Sequence, residues 1–279
     1  MSTILACTDG SQYSPSIYQN ASWAANKLSL PVHVLHVIER EEAALNHDLS
    51  GNLGFQANDE LMEELTRLDE SHARVARLRG KAILEDAAKQ IDAEVKLTQR
   101  HGALVDTVNE FEEGAALVVL GKRGEHADFA KGHLGSNLER VVRSAEVPVL
   151  VAAREFKPVK RFLIAYDGGN SALKAIDYVA NKSLLKGAEC HLVAIGKSGS
   201  ELERSLEAST TALKGVGFTV TSELLAGDPD EVIAAKVTDS KIDLLVMGAY
   251  GHSRIREFIL GSTTTNLIRT CHVPVLLFR

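Results

Sequence analysis

Cysteine is scarce in this chain: Cys7, Cys190 and Cys271 are the whole complement. They stand too far apart for a finger-type metal site and are too few for a disulfide framework. Each lies in or beside an apolar, strand-like run, so buried, reduced thiols are expected. Basic excess is missing too. A formal net charge of -6 argues against nucleic acid as a partner. No apolar run approaches the ~20 residues of a membrane-spanning helix, and the opening Met-Ser-Thr-Ile-Leu-Ala-Cys-Thr-Asp lacks a basic n-region and a cleavage site. A cytoplasmic, soluble protein without a membrane partner is expected. The full Gly-x4-Gly-Lys-Ser/Thr pattern of a phosphate loop is also absent, which disfavours a Walker-type ATPase. The remaining composition, 45% apolar and 24% charged over 279 residues, suits one large or two ordinary globular domains.

What is present is a duplication. Ile4–Gly10 matches Leu163–Gly168 with Asp9 over Asp167, and Val37 falls over Ile195 at the same offset (167 − 9 = 158). Leu117–Gly121 corresponds to Leu244–Gly248, and Val147–Ala152 (Val-Pro-Val-Leu-Val-Ala) to Val273–Phe278 (Val-Pro-Val-Leu-Leu-Phe). At Gly102/Gly227 the offset has dropped to 227 − 102 = 125, so the first copy holds 158 − 125 = 33 additional residues between its second and third strands. They include the loop-like Asn46–Phe55, either a cover for a site or an inert insertion.

Both copies alternate short apolar runs with helical patterns. Thr3–Thr8, Val32–Ile38, Glu94–Gln99, Leu117–Leu120 and Pro148–Ala152 read as strands buried on both faces. Pro15–Lys27, about Asp59–Gln90, Leu104–Glu112 and Ser136–Ser144 read as helices. In the second copy Phe162–Tyr166, His191–Ile195, Thr219–Glu223, Leu244–Met247 and Val275–Phe278 take the strand roles. The fold class is α/β, with a doubly wound parallel sheet in each copy. The expected domains are 1–153 and 160–279, joined where Arg-Glu-Phe-Lys-Pro-Val-Lys interrupts the apolar pattern.

The most informative motif follows the fourth strand of the second copy: Gly248, Gly251 and Gly261-Ser262, a Gly-x2-Gly-x9-Gly-Ser spacing. A glycine loop feeding a helix start at Thr263 aims peptide N–H groups and positive helix potential at an anion. In a doubly wound sheet the ligand crevice lies beyond the carboxyl ends of the first and fourth strands, which brings Asp167 to the same mouth. Ser262 and Thr263 add hydroxyls, and the set suits a polyphosphate. Asp167 either caps the helix near Ser171 or meets a ribose hydroxyl or a metal. Arg254 and Arg256 read as solvated charge, with phosphate contact as the alternative, and His252 has no carboxylate partner at a spacing that would make it a proton carrier. The first copy keeps Asp9, Gly121, Gly124, Gly135 and Ser136, but ten residues instead of nine separate its second and third glycines. Glu125 and Asp128 add negative charge there, partly offset by Lys122, Arg123 and Lys131, and the pair His126 and His133 is a weak metal signal.

These residues resemble the universal stress protein family in its tandem form, over essentially the whole chain: an Asp ending the first strand, Gly-x2-Gly-x9-Gly-Ser after the fourth, and a closing Val-Pro-Val-Leu strand. The resemblance implies a Rossmann-like, five-stranded parallel sheet of order 3-2-1-4-5 in each domain, with ATP, with or without Mg2+, in the crevice. Carried across, it places Asp167 on the ribose, Ile195 on the adenine, and Met247 and Gly248 along the base and ribose. Gly251, Gly261, Ser262 and Thr263 would surround the phosphates. The first copy matches at Asp9, Val37, Gly121, Gly124, Gly135 and Ser136, with its loop spacing departing from the motif. The resemblance also implies that Val147–Ala152 and Val273–Phe278 pair within the chain as an intramolecular pseudo-dimer, giving a two-domain monomer or a homodimer of such chains.

The leading expectation is a stress-response regulator that binds an adenine nucleotide in its second domain, answers to protein partners not named by the sequence, and hydrolyses ATP slowly if at all. The alternatives are a carrier of a lipid-like or nucleotide-sugar ligand and a non-enzymatic interaction scaffold.

Overall fold

The computed structural model describes residues 2–39, 55–122, 135–249 and 260–279, with backbone alone over 55–61 and at Ser136. The first copy runs β1 (Thr3–Cys7), α1 (Ser14–Leu28), β2 (Val32–Ile38), α2 (Phe55–Gln90), β3 (Val95–His101), α3 (Leu104–Glu112), β4 (Ala115–Gly121), α4 (Ser136–Ser144) and β5 (Val149–Ala152). The second runs β6 (Arg161–Tyr166), α5 (Asn170–Asn181), β7 (Glu189–Ile195), α6 (Glu201–Gly215), β8 (Val220–Leu225), α7 (Pro229–Asp239), β9 (Leu244–Gly248), α8 (Ser262–Thr270) and β10 (Val275–Phe278). Every expected element forms, with ends shifted by a few residues; α2 starts at Phe55 rather than near Asp59.

The strands make one ten-stranded sheet, ordered β3-β2-β1-β4-β5-β10-β9-β6-β7-β8, which contains the 3-2-1-4-5 order twice. Every pairing within a copy is parallel. The copies join through β5 and β10, which run antiparallel with Leu276 opposite Leu150. Each strand would otherwise be an exposed apolar edge; paired, Leu150 and Leu276 are fully buried. The free edges are left to β3 and β8, whose Lys96, Gln99, Thr221 and Ser222 are polar.

Two apolar layers follow from the helices. On one face, Ile17 and Tyr18 of α1, Leu84 of α2, Ile176 of α5 and Leu213 of α6 pack together. On the other, Val108 of α3, Val141 of α4, Ile233 of α7 and Leu267 of α8 do so. Both layers cross from one copy to the other, so the halves share their core. The three cysteines are free and buried, as expected, and burial pushes the Cys7 and Cys190 thiols up to about 12.

Candidate functional site

Parallel pairing places the ends of three strands side by side. Ala165 of β6 pairs with Met247 of β9, and Tyr166 pairs with Ala194 of β7. One residue further on, Asp167, Ile195 and Gly248 stand at one mouth, and Phe278 of β10 lies beside Gly248. Met247 is 5% exposed and belongs to the core layer beneath the mouth, whereas Ile195 is half-buried at its rim.

Asp167 does not cap α5. The N-cap is Gly169, with no side-chain cap bond, and Asp167 Oδ1 accepts the Gly169 N–H at 2.8 Å. That bond closes a tight turn around Gly168, whose φ of 75° lies in the left-handed region that glycine adopts without penalty. The carboxylate is thereby held at the crevice by its own backbone.

The helix side of the site is equally determined. Gly261 is the N-cap of α8 and supplies no capping side chain. Its N–H donates to Ala249 O at 3.3 Å, and its carbonyl accepts the Thr265 N–H at 2.9 Å. The Thr264 hydroxyl donates to Gly248 O at 3.3 Å, tying the first turn of α8 to the end of β9. Helix geometry leaves the first N–H groups of α8 without intrahelical acceptors, and Ser262 and Thr263 carry their hydroxyls on that turn, exposed and half-buried respectively. Asp167, Ile195, Met247, Gly248, Gly261, Ser262 and Thr263 are therefore gathered at one end of the sheet. Gly251 lies outside the described residues, as do Gly124 and every other residue of the 123–134 and 250–259 segments.

The first copy repeats the frame with different contents. Asp9 Oδ1 accepts the Ser11 N–H at 2.9 Å around Gly10, whose φ is 78°. A Cβ on Gly10 would sit 2.7 Å from Ile83 Cδ1 of α2, so the long helix closes on the end of β1. Val37 is half-buried near the end of β2, Gly121 ends β4, and Gly135 is the N-cap of α4 at Ser136.

Two residues outside the expected set change the reading of this half. Glu39, just beyond β2, accepts the Leu104 N–H at 3.2 Å and the Asn137 side-chain amide at 2.9 Å. One carboxylate thus lies against the first turns of both α3 and α4, where an anion would otherwise be drawn. At the 158-residue offset its counterpart is Lys197, of opposite charge (197 − 39 = 158). That reversal was legible in the aligned copies; the contact with Asn137 was not. Lys122, expected to offset acid on the first-copy loop, reaches the other copy: its buried ammonium donates to the Cys271 carbonyl at the C-cap of α8. A cation there complements the negative end of the helix. Among the described residues no three metal-ligating side chains cluster, and no helix is long and apolar enough to cross a membrane.

The model of the universal stress protein family matches residues 1–153 and again 158–279. A universal stress protein of Synechocystis sp. is 37% identical over 287 aligned residues that span both chains completely. A solved universal stress protein from Archaeoglobus fulgidus, 25% identical, covers 99% of this chain and 96% of its own with a TM-score of 0.67. A universal stress protein solved in complex with cAMP covers 44% of this chain and 98% of its own, at 22% identity and a TM-score of 0.38.

Proposed function

Because the chain belongs to the universal stress protein family, we propose that it is a regulator that binds ATP or a related adenine nucleotide in its second domain, and that its first domain has altered or lost that capacity. The domains are taken as 1–153, with the insertion between β2 and β3, and 160–279. Asp167 meets the ribose, Ile195 meets the adenine, and Met247 and Gly248 lie along the base and ribose. Gly251, Gly261, Ser262 and Thr263 surround the phosphates.

The observation that carries this reading is at Gly261. Among the described residues, the nearest atoms that a Cβ there would meet are Thr264 Oγ1 at 3.4 Å and Ala249 O at 3.6 Å, ordinary contacts. Its φ of -56° and ψ of 142° suit any residue. The protein's own packing therefore does not require glycine at the N-cap of α8, whereas a phosphate resting on the N–H groups of that turn would. Asp167 accepts the Gly169 N–H, which holds its carboxylate at the strand ends where the ribose would lie. Mg2+ would enter with the phosphates, held mainly by their oxygens.

In the first domain Asp9, Val37, Gly121, Gly124, Gly135 and Ser136 keep the frame, but Glu39, bound to the Asn137 side chain, puts negative charge beside the start of α4, where a phosphate would rest. Catalysis is not part of the proposal: no residue at the second-domain mouth is placed as general base, and hydrolysis is slow at most. The compartment that follows is the cytoplasm.

The deciding experiment is thermal unfolding of the purified protein with ATP, ADP, AMP and cAMP. A ligand at 100 times its dissociation constant adds about 2.7 kcal/mol. Stabilisation by one or more of these nucleotides, lost in Gly261→Val and retained in Gly135→Val, is expected. Folded wild-type protein that none of them stabilises would overturn the reading.

A further inference from the structure

Helix α2 is much longer than its place in the fold needs. It has 36 residues, against 15 in α6, its counterpart in the second domain. At 1.5 Å per residue these lengths are roughly 54 Å and 22 Å. Only the last part packs on the sheet: Gly80 is the first buried residue, followed by Leu84 and Ala87. From Met62 to Arg79 the helix is almost wholly in solvent, yet it carries Met62, Leu68, Val75 and Leu78 at 51%, 47%, 60% and 59% exposure. Such a set of large apolar side chains on one exposed helix is the mark of an interaction surface.

The spacing and the charges say what covers it. Leu65, Leu68, His72 and Val75 follow the three-four-three spacing of a coiled-coil seam, with Met62 and Leu78 flanking it. The pattern is symmetric about Glu70: 65 + 75, 68 + 72 and 62 + 78 all equal 140. Residues 62–70 hold Glu63, Glu64, Asp69 and Glu70 against Arg67, a net of −4 + 1 = −3. Residues 72–81 hold Arg74, Arg77, Arg79 and Lys81 with no acid, a net of +4. Two parallel copies would set like charge on like. Two antiparallel copies set each acidic half on the other's basic half, and Leu65 on Val75.

We propose that a second copy of this chain docks here, the two α2 helices crossing antiparallel about a two-fold axis at Glu70. The assembly is isologous, as a closed dimer requires. His72, opposite Leu68, is a polar residue within the seam and disfavours other registers. The inference is independent of nucleotide binding and stands or falls separately from it.

Sedimentation equilibrium over a concentration and salt series tests it, with circular dichroism confirming that each variant is folded. The wild type dimerises, and added salt weakens the dimer. The double variant Val75→Glu/Leu78→Glu, at sites already open to solvent, raises the dimer dissociation constant at least about tenfold. Glu63→Lys/Glu64→Lys also weakens it, and adding Arg74→Glu/Arg77→Glu in the same chain tightens it again, because positions 63 and 77, which face each other across the two-fold axis, then carry opposite charges once more. Three results would overturn the proposal: a wild type that stays monomeric, a dimer that survives Val75→Glu/Leu78→Glu, or a charge-exchanged chain no tighter than Glu63→Lys/Glu64→Lys. A monomer whose apolar stripe is covered by its own 40–54 segment belongs to the first of these.

Discussion

Glu39 Oε1 lies 2.9 Å from the Asn137 side-chain nitrogen, although 98 residues separate the two in sequence. The same oxygen accepts the first N–H of α3, from Leu104 at 3.2 Å. A carboxylate at two helix starts is well placed electrostatically, and it puts negative charge where the equivalent strand end of the second domain has Lys197.

Glu39→Ala should cost about 0.5–1 kcal/mol, the scale of a lost helix cap, and lower the unfolding midpoint by a few degrees. Glu39→Lys should in addition let the first domain take up a polyphosphate. Titration calorimetry with ATP is the measure, and an unchanged stoichiometry would place the obstacle elsewhere in that domain.

Gly261→Val should leave the fold intact, since a Cβ at that position meets no atom of the described residues closer than 3.4 Å. Nucleotide stabilisation should nevertheless vanish. Wild-type affinity in this variant would mean that the phosphates do not rest on α8.

Gly10→Ala should behave in the opposite way, damaging the fold first. The residue has a φ of 78°, and its new Cβ would be 2.7 Å from Ile83 Cδ1. Backbone strain alone is worth about 1 kcal/mol, and displacement of Ile83 adds to it. Denaturant unfolding should show a loss of about 1–3 kcal/mol.

His33 is expected to make stability fall in mildly acid solution. Burial against Phe111, with ring centroids 5.1 Å apart, and then the charge of Lys96 hold its pKa below the ordinary value of 6.5. A depressed histidine pKa means that the unfolded chain takes the proton first. The neutral ring's contribution is complete above about pH 6.5 and declines as pH drops through the unfolded and then the folded pKa. Replacement by Gln, which retains a partner for Thr98 Oγ1, now 2.8 Å from His33 Nε2, should flatten the stability profile between about pH 5 and 7.

The thiols should resist modification while the chain is folded. Cys7 and Cys190 are buried with pKa values pushed up to about 12, and burial raises Cys271 as well. A thiol reagent should titrate all of them only in denaturant, with native-state rates following unfolding. Fast labelling of the native protein would contradict their burial.

The strands were legible because a buried parallel strand has to be a short, continuous apolar run, and β5 and β10 are such runs from end to end. The ends of elements shifted where neighbours decided them, as at β4, which pairing with β1 begins at Ala115 rather than Leu117. Asp167 follows the end of β6, but its hydrogen bond to Gly169 is not legible in the sequence, since an Asp two residues before a helix cap reads the same whether it caps or turns. Glu39 escaped attention because its partners come from α3 and α4, and no local pattern records that convergence.

By itself the sequence determined the duplication and the order of strands and helices, because these depend on periodicity and on where a parallel sheet must turn. The resemblance already implied that β5 and β10 pair; only the tertiary structure decided their antiparallel register and the two apolar layers that run across the join. It alone showed that Glu39 rests on two helix starts, that Lys122 spans the domains to Cys271, and that half of α2 stands clear of the sheet. Those are contacts and exposures between segments distant along the chain, which local spacing does not encode.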